Sequence, residues 1–492
     1  MQHLTPSRRP SYPVAAMGTK PGTSEKPLRV AIIGSGPAGF YSAGHLLANK
    51  QHPDLVAEVD MFDRLPTPWG LVRAGVAPDH PKLKSVSRIY EKTAAQPGFR
   101  FFGNVEFGTD VTREDLAERY HAVIYAVGAQ TDRHMDIDGE NLPGSWAATE
   151  LVAWYNGHPD YRELEFDLSS KRAVVVGNGN VAMDVARMLT LTHDELAETD
   201  VADHALEVLR DSAVEEVVVL GRRGPAQAAF TNPELLELGE LTDADVVVDP
   251  ADVELDEHSI QSIEGEGDLT PRKNVEILTE YSQREPAGKR RRIVLRFLVA
   301  PVAIKGADRV EGVEIVHNEL YRDAGGVLRA RSTEQHETIE AGLVFRSIGY
   351  RGVPLPGVPF DESRGTIPNE GGRIVDPHEQ HLVRGQYTVG WIKRGPSGVI
   401  GTNKRDAQET VEFLIEDLHE GRLLEPSDPA RESVEALLAE CKPEHVTYAG
   451  WEAIDAAEKA AGEPQGRPRV KLCTFDELVA AADVEPAGVP QD

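Results

Sequence analysis

Two glycine-rich loops, each following a short run rich in apolar residues, constrain the fold of this chain most. The first run, residues 28–33, leads into Gly-Ser-Gly-Pro-Ala-Gly at 34–39. The second, residues 172–176, leads into Gly-Asn-Gly-Asn-Val-Ala at 177–182. A buried strand, a Gly-x-Gly-x-x-Gly turn and a helix are together typical of a dinucleotide-binding βαβ unit. Two such units in one chain predict an α/β fold with two Rossmann-like dinucleotide-binding domains.

The positions within each loop have separate roles. Gly34 and Gly36 lie where a side chain would block a pyrophosphate, and Gly39 allows the helix to pack closely against the strand. Free N–H groups at the start of that helix point at the phosphates. In the second loop, Asn178–Val181 are expected to supply backbone groups to a second pyrophosphate, and Ala182 replaces the third glycine.

The residue that follows the next apolar run differs in charge between the two units. In the first unit this run, 59–62, ends on Asp63, whereas in the second the run 217–220 is followed by Gly221, Arg222 and Arg223. A carboxylate at this place accepts hydrogen bonds from ribose hydroxyls, and an arginine pair suits a 2′-phosphate. The sequence therefore predicts two bound dinucleotides, of which only the second is NADP(H).

Charge and composition exclude several classes of function. The net charge of −29 argues against nucleic-acid binding and against stable association with an anionic membrane. No stretch approaches the roughly 20 apolar residues of a membrane-spanning helix. The two cysteines, Cys441 and Cys473, form no metal or iron–sulfur motif, so no metal site is predicted and a cytoplasmic location is expected. The stretch from Glu234 to Asp268 lacks Lys and Arg, which predicts a solvated acidic face.

The order of the predicted elements indicates one dinucleotide domain inserted into another. Two strands ending on glycine, within 120–128 and 343–349, mark where the chain crosses between them. The predicted domains are a disordered tail at 1–27, a discontinuous outer domain at 28–131 and 347–492, and an inner domain at 132–346. Two β-rich segments, 293–304 and 310–316, suggest an antiparallel addition to the inner domain.

The segment 65–81 is rich in Pro and Gly and has neither helical nor strand periodicity. A long structureless loop inside a compact domain needs a functional reason. We interpret it as a loop wrapped over a large planar cofactor.

Several motifs occur together with the two loops. They are Pro-Trp-Gly-Leu-Val-Arg at 68–73, Gly-Val-Ala-Pro-Asp-His-Pro at 75–81, Gly-Arg-Arg-Gly-Pro at 221–225, Gly-Trp at 390–391 and Gly-Val-Ile-Gly-Thr-Asn at 398–403. In this order they resemble the adrenodoxin-reductase-like ferredoxin–NADP⁺ reductases, particularly the actinobacterial members. The resemblance spans about residues 28–480.

This resemblance implies FAD in the outer domain and NADP(H) in the inner domain, the latter inserted into the former. Asp63 stands where many relatives have Glu. The residues implied to contact FAD, in addition to the loop residues Gly34, Gly36 and Gly39, are Ala38, Asp63, Leu71, Val105, Trp391, Gly398, Val399 and Ile400. Those implied to hold NADP(H) are Asn178, Gly179, Asn180, Val181, Arg222, Arg223 and Glu234, with Gly398 near the nicotinamide.

By the same resemblance, His80, Asp184 and Glu234 are candidates for proton handling and for positioning the nicotinamide. The implied activity is that of an FAD-dependent ferredoxin–NADP⁺ reductase, in which the flavin converts the hydride of NADPH into single electrons for an iron–sulfur protein. The chain has no dithiol near a flavin motif, so electrons are expected to leave for an external acceptor.

The expected partner is an acidic ferredoxin or a flavodoxin, and nothing in the sequence requires more than a monomer. Two basic clusters are candidate docking patches: Lys82, Lys84, Arg88 and Lys92, and Lys289–Arg292 with Arg296. Two other functions stay open. One is an electron-input flavoprotein subunit resembling the small subunit of glutamate synthase, although such proteins usually carry cysteine clusters. The other is a non-catalytic flavin-binding sensor.

Overall fold

A computed structural model describes residues 20–265, 269–398 and 400–483. Of the predicted tail at 1–27, residues 1–19 therefore lie outside the described part, and so does Val399. Residues 20–27 lead directly into the first strand. Among the helices described, none combines the length and the apolar character that crossing a membrane requires.

The strands alternate with helices along most of the chain. In chain order the strands are β1 Leu28–Ile33, β2 Ala57–Phe62, β3 Phe99–Gly103, β4 Ala122–Tyr125, β5 Thr131–Asp132, β6 Ser145–Ala147, β7 Arg172–Val176, β8 Glu216–Leu220, β9 Ala244–Val248, β10 Arg291–Arg296, β11 Val299–Lys305, β12 Gly312–Arg322, β13 Leu328–Glu340, β14 Leu343–Arg346, β15 Tyr350–Arg351, β16 Asn369–Glu370, β17 Arg373–Asp376, β18 His381–Thr388 and β19 Val446–Thr447.

The α-helices follow the same order along the chain. They are α1 Pro37–Leu47, α2 Leu71–Ala74, α3 Pro81–Lys84, α4 Ser87–Ala94, α5 Arg113–Arg119, α6 Ala148–Tyr155, α7 Asn180–Met188, α8 His193–Ala197, α9 Asp203–Arg210, α10 Asn232–Leu238, α11 Glu257–Gly265, α12 Thr270–Gln283, α13 Trp391–Arg394, α14 Thr402–Glu420, α15 Arg431–Cys441, α16 Tyr448–Gly462 and α17 Phe475–Ala482. Short 3₁₀ turns occur at Pro159–Tyr161, Pro225–Gln227, Pro250–Val253 and Glu463–Gln465.

The first sheet has eight strands in the order β16-β17-β18-β4-β1-β2-β3-β19. Its five central strands, from β18 to β3, are parallel. Because β1, β2 and β4 are in register and end together, Gly34 and Asp63 meet at one edge of the sheet. The strands come from both ends of the chain.

The second sheet has six parallel strands in the order β6-β14-β7-β8-β10-β9. All of them come from the stretch between β4 and β16, so the second unit interrupts the first. The predicted fold class, two Rossmann-like units with one inserted into the other, is confirmed. The exact domain boundaries stay a prediction.

Two smaller sheets complete the topology. Strands β11, β12 and β13 form an antiparallel sheet, as predicted for this region, but β10 joins the parallel sheet instead. Strands β5 and β15 pair as an antiparallel two-stranded ribbon at the place where the chain passes between the two units. The two segments that connect the units are thus hydrogen-bonded to each other.

Alternating residues of the central strands bury both faces of each sheet. In β1, Val30 and Ile32 face one apolar cluster, and Ala31 and Ile33 face another. The second sheet packs helices on one face and, on the other, the three-stranded sheet through residues such as Ile315. Buried parallel strands of this kind give rigid frames for the loops at their carboxyl ends.

The segment 65–81 differs from the predicted structureless loop. It contains the short helix α2, and α3 begins at its last residue, Pro81. Within the Gly-Val-Ile-Gly-Thr-Asn motif at 398–403, helix α14 begins at Thr402.

Candidate active site

The first glycine loop is tightly packed at its ends and open in the middle. Gly34 has a φ of +104°, and a Cβ there would overlap the carbonyl group of Ala126. A Cβ on Gly39 would overlap the carbonyl oxygen of Gly34. A Cβ on Gly36 would meet nothing within 4 Å. The loop therefore folds back on its own strand and leaves an open space above Gly36.

Asp63 lies at the carboxyl end of β2 and is bonded to this loop. Its Oδ2 accepts hydrogen bonds from the Ser35 amide at 2.8 Å and the Ser35 hydroxyl at 2.5 Å. The amide of Val105 donates to the Asp63 carbonyl at 2.9 Å, so Val105 lies beside it. Burial raises the pKa of Asp63, whereas the Ser35 bonds act to lower it. Asp63 thus holds the loop in addition to its predicted role toward a ribose.

The segment around α2 covers the open space above Gly36. The Trp69 amide donates to the Ser35 carbonyl at 3.0 Å, and a Cβ on Gly70 would lie 2.9 Å from the Gly36 Cα. Trp69 has a φ of +85° and packs edge-on against Trp451. Leu71, although apolar, is 45% exposed.

The other wall of this space is formed by residues after β18. A Cβ on Gly390 would lie 2.7 Å from the Cβ of Ala38, so the chain passes directly over the start of α1. Trp391 begins α13 and stacks on Tyr350 with ring centroids 5.3 Å apart. The exposed Gly398 and the half-buried Ile400 follow before α14, and Val399 between them lies outside the described residues.

These surroundings fit a dinucleotide that carries a large planar ring. Gly36 leaves room for a pyrophosphate, and Leu71 offers apolar surface that a ring would cover. The indole N–H groups of Trp69 and Trp391 are buried without a hydrogen-bond partner in the described part of the chain. Buried donors of this kind are normally satisfied, so a ligand with acceptors is expected here.

The second loop repeats the same construction. A Cβ on Gly177 would overlap the Ser347 carbonyl, whereas a Cβ on Gly179 would meet nothing within 4 Å. The Asn178 carbonyl accepts from the Ala229 amide at 3.1 Å. The Asn180 side chain accepts from the Thr231 amide at 2.8 Å. Val181 and the fully buried Ala182 continue into α7, which points its N-terminus at the open space.

Arg222 and Arg223 follow β8 at the edge of this second space. Their backbone carbonyls are fixed by the Asn318 side chain at 3.0 Å and the Leu298 amide at 3.1 Å. Both side chains are exposed, and neither guanidinium forms an ion pair with any residue that the structure describes. Fixed backbones with uncommitted guanidinium groups suit the binding of a phosphate.

A polar cluster lies between the two units and contains all three predicted catalytic residues. His80 comes from the first unit, Asp184 from α7 and Glu234 from α10, and one ligand atom from each lies within 4.8 Å of the others. The His80 Nδ1 is 4.0 Å from Glu234. Its Nε2 lies closer, at 2.8 Å, to Glu237. Glu237 is thus the direct partner of His80, which the sequence analysis did not identify.

Arg187 and Asp79 also belong to this cluster, and neither was predicted from the sequence as a site residue. The Arg187 Nε lies 2.5 Å from Asp79, and its Nη2 lies 2.7 Å from Asp184. The spacing of three residues, from Asp184 to Arg187 and from Glu234 to Glu237, is the available sequence signal, since it places both residues on one helix face.

Burial raises the pKa of two acidic groups in this cluster, Asp184 and Glu234. Glu234 is only 8% exposed, so it does not belong to the solvated acidic face that was predicted to begin with it. Burial raises the pKa of Asp184, although Arg187 and His80 act to lower it. Burial raises the pKa of Glu234, and the charge of Asp184 raises it further. Both groups therefore hold a proton more readily than an exposed carboxylate does.

Most of the second predicted docking cluster is committed to internal contacts. Arg291 donates to the Leu191 carbonyl at 2.7 Å, Arg292 pairs with Glu216, and Arg296 pairs with Glu337 at 3.1 Å. In the first cluster, Lys84 pairs with Asp200 at 2.6 Å. Three cations of that cluster are exposed and form no ion pair within the described ranges: Lys82, Arg88 and Lys92.

The chain is similar to proteins of known activity. A family model described as pyridine nucleotide-disulphide oxidoreductase matches residues 28–220. NADPH-ferredoxin reductase FprA of Mycobacterium tuberculosis is 54% identical over 461 residues, covering 92% of this chain and 99% of that protein. The mitochondrial NADPH:adrenodoxin oxidoreductase of Arabidopsis thaliana is 40% identical over 474 residues, covering 93% of this chain and 96% of that protein.

The structural comparison agrees with these relatives. The structure of Mycobacterium tuberculosis FprA in complex with NADPH matches with a TM-score of 0.88 at 52% sequence identity. The match covers 93% of this chain and 100% of that chain. The whole fold, with both glycine loops, is therefore shared with a protein that binds NADPH.

Proposed function

The chain belongs to the family of its NADPH-ferredoxin reductase relatives, and from this premise we propose that it transfers electrons between NADPH and an iron–sulfur ferredoxin. FAD and NADP(H) are its cofactors. The observation that carries the proposal is the 54% identity to such a reductase over 99% of that protein's length. The two similar loops with opposite charges beside them, Asp63 against Arg222 and Arg223, agree with it.

FAD fits the first space and supplies, when bound, the conversion between a two-electron hydride donor and a one-electron acceptor. We propose that Gly36 and Ala38 admit its pyrophosphate, while Gly34 and Gly39 hold the loop in the conformation that this requires. The carboxylate of Asp63 accepts from the ribose hydroxyls. Further contacts to the cofactor come from Leu71, Val105, Trp391, Gly398, Val399 and Ile400.

The second loop holds NADP(H) in the same proposal. Backbone groups of Asn178, Gly179, Asn180 and Val181 bind the pyrophosphate, and the exposed Arg222 and Arg223 bind the 2′-phosphate. Glu234, in the cluster between the units, would contact the nicotinamide end of NADP(H). His80 and Asp184 orient the ring from opposite units, and the raised pKa of Asp184 and of Glu234 allows them to hold a proton beside it.

The electrons leave for an external protein. Cys441 is exposed and Cys473 is buried, and each is a free thiol far from the other in sequence. Disulfide reductases with related folds need a dithiol at the flavin. The proposed partner is an acidic ferredoxin, with a flavodoxin as the second possibility.

The docking face proposed for this partner lies just after His80, on α3 and α4. It consists of the exposed cations Lys82, Arg88 and Lys92 around the apolar side chains of Leu83 and Ile89, which are 49% and 48% exposed. An apolar centre within a charged rim is typical of protein interfaces. Because the rim is positive on a chain of charge −29, it suits a partner of negative charge.

If this face binds the ferredoxin, the kcat/KM for ferredoxin should fall steeply with ionic strength. The triple variant Lys82→Ala, Arg88→Ala, Lys92→Ala should lower kcat/KM at low salt by about tenfold or more and flatten the salt dependence. Arg290→Ala, which removes another exposed arginine, should change neither. A flat salt profile of the unmodified enzyme would contradict the assignment.

We propose that the enzyme works as a cytoplasmic monomer with domains at 28–131 plus 347–492 and at 132–346. One chain supplies both nucleotide loops and all members of the cluster between them, which supports a monomer. The pairing of β5 with β15 supports boundaries close to these residues.

Anaerobic mixing with NADPH tests the function. The flavin absorbance of the purified holoenzyme should bleach at once, and oxidised ferredoxin should then restore it. NADH at the same concentration should bleach it far more slowly. A flavin that NADPH does not reduce, or that ferredoxin does not reoxidise, would contradict the proposal.

A further inference from the structure

Arg187 is the cation on which the cluster between the two units converges. Its side chain is only 3% exposed, and it lies on α7 in the second unit. It forms a two-pronged bond to Asp79 of the first unit, with Nε–Oδ2 at 2.5 Å and Nη2–Oδ1 at 3.2 Å. Asp79 is the chain neighbour of His80. Arg187 thus fixes the backbone segment that carries His80.

Arg187 is also connected to His80 through the side chain of Glu237. Its Nη1 lies 3.8 Å from Glu237 Oε2, and the same oxygen is 2.8 Å from the Nε2 of His80. The Nη1 further lies 3.4 Å from Glu234 Oε2. One guanidinium therefore contacts both carboxylates that face the imidazole.

The acidic groups around Arg187 require a positive charge among them. Four carboxyl groups surround it, those of Asp79, Asp184, Glu234 and Glu237. Burial acts to lower the pKa of Arg187, but the bonds to Asp79 and the nearby carboxylates raise it, so the side chain stays charged. Without this charge the buried carboxylates would repel each other.

We propose that Arg187 is a positioning residue for hydride transfer, which holds His80 in place through Asp79 and Glu237. This inference rests on the proposed function. Lysine cannot replace it fully, because the bidentate bond to Asp79 needs the planar fork of arginine. A displacement of about 1 Å at a reacting centre can cost roughly 100-fold in rate.

The test is stopped-flow reduction of the FAD-loaded enzyme by NADPH. Arg187→Gln should lower the limiting rate at least about tenfold, while the apparent Kd for NADPH changes less than about threefold. Arg187→Lys should recover part of the rate. The pH midpoint of the limiting rate in Arg187→Gln should move upward, because loss of a cation favours the protonated forms of Asp184 and Glu234. The titratable groups that face Arg187 are Asp79, His80, Asp184, Glu234, Glu237 and Tyr155.

Two further variants separate positioning from a merely structural role. Arg467→Gln removes another buried guanidinium that bonds across the two units, to the Thr199 carbonyl at 3.1 Å and to Asp203 at 2.5 Å, and that forms no ion pair with the cluster in the described part of the chain. It should leave the limiting rate and its pH midpoint unchanged. Asp79→Asn keeps Arg187 but weakens its bond to the His80 segment, and should lower the rate even if Arg187→Gln does not fold.

Equal rate losses in Arg187→Gln and Arg467→Gln would overturn the inference, as would a limiting rate and pH midpoint in Arg187→Gln equal to those of the unmodified enzyme. An unchanged rate in Asp79→Asn would also overturn it. Failure of NADPH to reduce the unmodified enzyme is a different result, because it contradicts the proposed function itself.

Discussion

Gly36 and Gly39 lie three residues apart in the same loop, yet their surroundings differ completely. The space above Gly36 is open, and its backbone φ of −75° is accessible to any residue. Gly39 lies against the carbonyl oxygen of Gly34. At this scale the residue needed for cofactor binding and the residue needed for folding can be told apart by what a methyl group would meet.

Gly36→Ala should therefore weaken FAD binding without destabilising the apoprotein. Its free energy of unfolding should stay within about 1 kcal/mol of the unmodified chain, since alanine fits the backbone. Gly39→Ala should lower that free energy by about 1–3 kcal/mol, because the loop must move. Flavin content after purification and denaturant unfolding of the apoproteins measure the two effects. A Gly36→Ala enzyme with full FAD content would contradict the assignment of the open space.

We propose that Arg222 and Arg223 determine the preference for the nucleotide that carries a 2′-phosphate. Replacing either by Ala should raise the KM for NADPH about 10- to 100-fold, since a hydrogen bond to a charged group contributes about 1.5–3 kcal/mol. The KM for NADH should stay within about twofold, because NADH lacks the 2′-phosphate. Arg290→Ala provides the control. A parallel rise in both KM values would indicate a general disturbance of the site.

At the scale of elements, the segment after α16 connects the two units at a distance from the active site. Arg467 donates to the carbonyl of Thr199 at 3.1 Å and pairs with Asp203 at 2.5 Å, both in the second unit. Lys471 lies 3.4 Å from Asp200, which also pairs with Lys84 of the first unit. These contacts of buried charged residues thus connect three stretches of chain that are distant in sequence.

Asp200→Asn should destabilise the protein by about 3 kcal/mol, because it leaves two buried ammonium groups without a counter-charge. Burial acts to raise the pKa of Asp200, but Lys471 and Lys84 lower it to about 2. Its ionised form therefore contributes stability above the unfolded pKa of about 3.9, and this contribution is lost as the pH falls toward 2. In denaturant unfolding, the difference in free energy of unfolding between Asp200→Asn and the unmodified protein should be constant from pH 5 to 8.

Asp160→Asn is the control for this prediction. Asp160 pairs with Arg64 across the same two units, but both side chains are more than a third exposed. Its replacement should cost less than about 1 kcal/mol. Equal losses in the two variants would show that burial does not decide the strength of these pairs.

The elements that could be predicted are those fixed by local chemistry. Strand β1 has the bounds of the predicted run 28–33, and α1 and α7 begin inside the glycine loops at 34–39 and 177–182, since a glycine loop defines both the end of a strand and the start of a helix. The antiparallel sheet was located but β10 was assigned to it wrongly, because a strand's partner depends on distant residues. Arg187 and Glu237 were missed for the same reason: their function lies in contacts across units.

At the scale of the whole molecule, three partly or fully buried histidines couple stability to pH. They are His121, His158 and His204, and burial lowers the pKa of each to about 4. In the unfolded chain each titrates near pH 6.5, so the unfolded state binds more protons between these values. The contribution of these histidines to stability is therefore complete above about pH 6.5 and is lost as the pH falls toward 4.

We expect these three histidines to lower the free energy of unfolding by roughly 3 kcal/mol between pH 7 and pH 5, after allowance for partial exposure. Asp132 and Asp252, whose pKa values burial raises to about 7 and about 6, act in the opposite direction. His121→Asn should remove about a third of the histidine contribution, because the Nδ1 of His121 accepts the Arg29 amide and its ring must stay neutral. His378→Asn, at an exposed position, should leave the dependence unchanged. Denaturant midpoints at the two pH values decide the matter, and an unchanged slope in His121→Asn would exclude this histidine as a cause.

The ribbon of β5 and β15 makes the second unit a cassette. The chain leaves at Thr131–Asp132 and returns at Tyr350–Arg351, directly beside its point of departure. Excising residues 133–349 and splicing the two ends with a tight turn would keep every strand of the eight-stranded sheet. We expect such a shortened chain to retain yellow colour without responding to NADPH. Replacing the second unit with another nucleotide-binding unit would then change the electron donor of the protein and leave its flavin-binding unit unchanged.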